Sequence, residues 1–128
     1  MAENKKTILI VEDEPDTATY LSTLLGDAGY DIVAAEDGDQ ALEKVKAGPP
    51  DLITLDITMP HTSGVRFYRE MKESEKWKRI PIIIVTGISA DFERFISTRR
   101  QVPPPEGYLS KPIDQEKMLT MVKQHLGS

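Results

Sequence analysis

Short, nearly unbroken apolar runs alternate along the chain with longer stretches in which apolar residues return every three or four positions. The run Thr7-Ile8-Leu9-Ile10-Val11 has the continuous apolar character of a strand covered on both faces. Ala18, Leu21, Leu25 and Ala28 then recur at helical spacing, with Pro15 suited to a first turn, Asp13 or Glu14 near the amino end and Gly29 placed to stop the helix. Residues 31 to 35 read as a second strand, and Asp37 opens a helix carrying Ala41, Leu42 and Val45 that Gly48-Pro49-Pro50 ends. A third apolar run reaches Asp56, and the helix expected from about Ser63 to Ser74 buries Val65, Tyr68 and Met71 or their neighbours. Pro81 to Thr86 is the fourth strand, followed by a helix expected around Asp91 to Arg99 and a loop from Gln101 to Gly107. Tyr108-Leu109-Ser110 forms a short fifth strand, and the last helix runs from Asp114, a good N-cap, through Met118, Leu119, Val122 and Leu126.

Five strands and five helices in alternation predict a parallel sheet with right-handed crossovers and helices on both faces, a three-layered, doubly wound α/β fold. The 128 residues suit a single domain spanning 1–128, with a core of about 5–126 and no effector domain. A formal net charge of −5 argues against direct nucleic-acid binding, and the absence of cysteine removes disulfide and thiolate chemistry. No apolar stretch approaches the roughly 20 residues of a membrane span, and residues 1 to 6 are polar. The expected location is cytoplasmic, with no membrane partner.

The chemistry collects at the carboxyl ends of the predicted strands, where open α/β sheets hold ligands. Glu12 and Asp13 follow the first strand, Asp56 ends the third, Thr86 the fourth, and Lys111 follows the fifth. Two carboxylates about 4 Å apart repel by roughly 4 kcal/mol at an effective dielectric near 20, so three around one point call for a cation. A hard divalent ion with oxygen ligands, Mg²⁺ or Mn²⁺, answers that charge. With the Lys111 ammonium and the Thr86 hydroxyl added, the set reads as a phosphoryl-binding site with Asp56 as nucleophile. Each group also has a plainer reading when taken alone. Residues 12 to 16 fit a solvated acidic turn at a helix amino end, Lys111 a surface lysine, and Tyr108 a core strand residue. His61 and His125 have no partner spacing that suggests a metal site.

Taken together, Val11-Glu12-Asp13-Glu14, Leu55-Asp56 with Met59-Pro60 and Gly64, Val85-Thr86-Gly87, and Tyr108-Leu109-Ser110-Lys111-Pro112 resemble the receiver domain of bacterial two-component response regulators. The resemblance spans residues 5 to 126 and implies a flavodoxin-like five-stranded sheet of order 2-1-3-4-5. It implies that Asp56 accepts a phosphoryl group from a phosphohistidine on a sensor histidine kinase or histidine phosphotransfer protein. It further implies that Asp13, Asp56 and the backbone carbonyl of Thr58 bind Mg²⁺, with Glu12 acting through water, and that Lys111 pairs with the phosphoryl oxygens. Thr86 and Tyr108 would form the switch, biasing a face of the fourth helix, fifth strand and fifth helix towards a downstream protein target. The Lys111-Pro112 peptide would be cis.

Two further positions bear on how long the phosphoryl group lasts. In the family, the side chains two residues beyond the acceptor and two beyond the switch threonine influence attack by water; here they are Thr58 and Ile88. Ile88 is apolar and cannot position a water, and Thr58 does so weakly. The segment from Thr86 to Lys111 is a few residues longer than usual for the family, with Arg99-Arg100 and Pro103-Pro104-Pro105. It reads either as a solvated helix end leading into a stiff loop or as a partner-specific rim.

Other classes fit less well. A dehalogenase-type phosphatase wants a second Asp where Thr58 stands, and a flavin carrier wants a glycine- and hydroxyl-rich phosphate loop where Glu12-Asp13-Glu14 would repel the phosphate. No Gly-x-x-x-x-Gly-Lys motif supports a nucleotide hydrolase. The remaining alternative is a receiver-like module that docks whatever its phosphorylation state. Against it stands the complete set of Glu12, Asp13, Asp56, Thr86 and Lys111. The expected chemistry is on the chain itself, phosphotransfer and self-dephosphorylation, rather than turnover of an outside substrate.

Overall fold

Where the apolar runs predict strands, strands form. The computed structural model describes residues 5–56, 63–86, 106–111 and 113–126. Their elements are β1 (Thr7–Val11), α1 (Pro15–Asp27), β2 (Asp31–Ala35), α2 (Gly38–Ala47), β3 (Leu52–Asp56), α3 (Ser63–Glu73), β4 (Ile82–Thr86), β5 (Gly107–Ser110) and α4 (Gln115–Leu126). The sheet is parallel throughout, in the order β2-β1-β3-β4-β5. The helix expected around Asp91 to Arg99, the Arg99 to Pro105 segment and the Lys111-Pro112 peptide lie outside the described residues.

Period-two alternation sends neighbouring strand residues to opposite faces, so a strand covered on both sides is apolar throughout. Leu9, Val11, Ile53 and Leu55 pack with α2 and α3, whereas Ile8, Ile10 and Leu52 pack with α1 and α4. This makes the three layers. Each large aliphatic side chain buried this way contributes about 1.5–3 kcal/mol relative to exposure.

The helices start and stop where local chemistry directs. Pro15 occupies the first turn of α1, where its missing N–H costs nothing, and Gly29 follows with φ 105°, a left-handed conformation that favours glycine. Asp37 caps α2, its Oδ1 accepting the Gln40 N–H at 2.8 Å, and Asp114 caps α4 by accepting the Lys117 N–H at 3.1 Å. Three packing expectations shift. In α3, Phe67 is buried beside Tyr68 and Met71 while Val65 is only half-buried. Ala28 lies past the last turn of α1 and is exposed, and Leu42 is half-buried.

The functional consequence lies in the strand order. From β1 the chain crosses to β2 on one side, and then passes to β3 on the other. The carboxyl ends of β1 and β3 therefore flank the switch point, where the crossovers diverge and leave a crevice.

Candidate functional site

Three carboxylates meet at that crevice. Val11 and Leu55 are in register across β1 and β3, so Glu12, one residue past the end of β1, and Asp56, the last residue of β3, come level at the same sheet edge. The Glu12 N–H still donates to Ala35 O of β2 at 3.0 Å, which fixes its backbone before the chain turns into α1. Glu12 is 3% exposed and Asp56 2%, whereas Asp13 is open to solvent. Glu12, Asp13 and Asp56 each offer one oxygen, all within 4.8 Å of one another.

Lys111 brings the compensating charge from β5. Its Nζ lies 3.1 Å from Asp56 Oδ2 and 3.4 Å from Glu12 Oε1. The first is a charge-assisted hydrogen bond; the second is an ionic contact too long for a good one, and Glu12 Oε1 is buried without a hydrogen-bond partner among the described residues. The other Glu12 oxygen accepts the Glu14 N–H at 3.2 Å.

The charges perturb one another. Burial pushes the Glu12 carboxyl up to about 7, aided by the adjacent Asp56 carboxylate and its charge, against the opposing pull of Lys111 and the Glu14 N–H. Burial would lower the Lys111 ammonium, but Asp56 first and Glu12 second outweigh it and hold the group above the ordinary lysine value. A buried carboxylate oxygen that meets no donor among the described residues, next to two more carboxylates and the Lys111 ammonium, suits a hard divalent cation with oxygen ligands.

The sequence-predicted residues sort as follows. Glu12, Asp13, Asp56 and Lys111 come together. Thr86 closes β4 in register with Ser110, one position before Lys111. Tyr108 lies on β5 and is 36% exposed, next to a groove that it lines with Lys111, Lys117 and Met121. Thr58 and Ile88 lie outside the described residues. One neighbour escaped the sequence: Tyr20 of α1, also 36% exposed, places its hydroxyl 3.4 Å from Ile113 O and lines a second groove with Asp16, Thr17 and Lys111. An aromatic residue beside the apolar stripe of α1, one position before Leu21, was the available signal.

Fold and site together define a phosphoryl-accepting α/β protein of the two-component type. The model of the response regulator receiver domain matches residues 8–123, and the chain belongs to that family. It is 35% identical over 121 residues to Protein Rrf1 of Nitratidesulfovibrio vulgaris, covering 94% of this chain and 83% of that one. It is 33% identical to the polar-differentiation response regulator DivK of Brucella abortus, covering 95% and 97% of the two chains. Among solved structures, the receiver domain of a sensor histidine kinase from Pseudomonas aeruginosa, described with a magnesium ion coordinated in its active-site cleft, superposes with a TM-score of 0.84 at 28% identity, covering 97% of this chain and 99% of that one. The role of the chain is that of a phosphorelay receiver. No helix among the described residues is long and apolar enough to cross a membrane.

Proposed function

We propose that the chain works as a receiver, phosphorylated on Asp56 by a sensor histidine kinase or histidine phosphotransfer protein. The observation that carries the reading is the convergence of Asp56, Glu12 and Asp13 with the Lys111 ammonium at the sheet's switch point. An Asp56 carboxylate oxygen attacks phosphorus, the P–N bond to the donor imidazole breaks, and an acyl phosphate forms as the imidazole leaves with a proton. Lys111, now on Asp56 Oδ2, moves its hydrogen bond to a phosphoryl oxygen and holds the new negative charge. Asp13 and Asp56, with the Thr58 carbonyl, would bind Mg²⁺ or Mn²⁺, and Glu12 would act through water. The bound ion would neutralise charge on the transferring group's oxygens. Thr86 follows the phosphoryl group and Tyr108 passes from exposed to buried, biasing the face around β5 towards a downstream protein target.

A cytoplasmic site of action accords with a phosphohistidine donor. The only chemistry is on the chain itself, so no outside substrate turns over. Peptide mapping tests the assignment: after treatment with acetyl phosphate, borohydride reduction should mark one acyl phosphate, at Asp56. A mark at any other residue would contradict it.

A further inference from the structure

Lys111 is delivered by the least anchored strand of the sheet. β5 has four residues against five in each of the others, and among the described residues it pairs only with β4. A slip of one residue would turn every side chain of β5 to the opposite face and carry the ammonium away from Asp56. The end of β5 far from the acid cluster holds a device suited to prevent this.

Glu106, the residue before β5, grips β4 twice. Its N–H donates to Ile82 O at 3.0 Å, and its Oε1 accepts the Ile82 N–H at 2.8 Å. The side chain thus supplies the ladder bond that a longer β5 would supply with its backbone. Lys72 of α3 holds that carboxylate in place: its Nζ is 2.8 Å from both Glu106 oxygens and 5.8 Å from the centre of the Tyr68 ring. The Lys72 side chain is only 2% exposed. Burying an ammonium carries a desolvation cost, and here it yields a carboxylate fixed in one orientation against β4.

We infer that Lys72 and Glu106 are positioning residues for the acid cluster at the opposite end of β5, locking the register of that strand and so setting where Lys111 meets Asp56. The inference deepens the proposed role of Asp56 and rests on it for its functional consequence. Its geometric content is separate, and two readouts keep the two apart.

The first readout needs no phosphorylation. Surface amines are acetylated with an N-hydroxysuccinimide ester and located by peptide mass spectrometry. Lys111, engaged by two carboxylates, should react slowly in the wild type and several-fold faster in Glu106→Ala. The second is the rate of Asp56 phosphorylation by acetyl phosphate in a double-mutant cycle. Glu106→Ala should slow it several-fold in the wild-type background and leave it unchanged in Lys111→Ala, since the effect runs through Lys111. A merely structural loosening would slow both backgrounds alike and would overturn the inference, as would wild-type reactivity of Lys111 in a folded Glu106→Ala protein. If Glu106→Ala does not fold, Lys72→Met, which fills the same buried space without the charge, takes its place with the same expectations. A wild type that accepts no phosphoryl group sinks the reading of Asp56 while the labelling still decides the inference.

Discussion

Glu12 shows how a single residue can set the local balance of charge. Its carboxyl titrates at about 7 in the folded chain against an ordinary value of 4.5. Between those values the folded state binds more protons than the unfolded one, so this group lowers stability as pH rises from about 4.5 to about 7. Glu12→Gln removes the titration. In a chelating buffer the variant should therefore be more stable than the wild type at pH 8, by about 1–3 kcal/mol, and the gain should shrink towards pH 5. Thermal melts at the two pH values check this; a difference independent of pH would contradict it. A second residue-scale expectation comes from sequence alone. Ile88 cannot position a water, so exchanging it for Glu should quicken loss of phosphate from Asp56. Unchanged decay of the phosphorylated protein would count against the assignment. Glu12, Asp13, Asp56 and Lys111 were legible because strand ends in an alternating α/β chain all arrive at one edge. Lys72 and Glu106 were not. A lysine and a glutamate 34 residues apart read as solvated surface until the fold brings them together.

At the scale of elements, the strands were easier to read than the helix faces. Continuous apolar runs such as Ile82 to Val85 leave no choice of face, since both are covered. In α3 the adjacent aromatics Phe67 and Tyr68 are both buried, so the helical period alone could not say which neighbour of Val65 enters the core. The same limit hid the packing of α4 on β5. A methyl group at Gly107 would lie 2.5 Å from Met121 Sδ and 3.2 Å from its Cγ, so this glycine is a point of close approach. Gly107→Ala should cost about 1 kcal/mol, the low end for overpacking, because a methionine can swing aside. Denaturant melts measure it, and Met121→Ala should remove most of that cost from the double variant. Full additivity of the two substitutions would show that the contact is not what constrains position 107.

At the scale of the whole molecule, function follows from the order in which the strands are laid down. With β2 on one side of β1 and β3 on the other, two acid-bearing strand ends flank one crevice, and β5 reaches it from the far edge with the ammonium. Alternation of strands and helices made the layers legible from sequence, and the order of motifs gave the family. Register, which brings Asp56 level with Glu12, required the structure. The central claim is that this crevice accepts a phosphoryl group on Asp56. Intact mass after incubation with acetyl phosphate and Mg²⁺ tests it most directly. The wild type should gain one phosphoryl group, and neither Asp56→Ala nor the wild type without divalent metal should gain it. A folded wild type that gains nothing, from acetyl phosphate or from a cognate phosphohistidine donor, would contradict the claim and leave a docking module that works without phosphate.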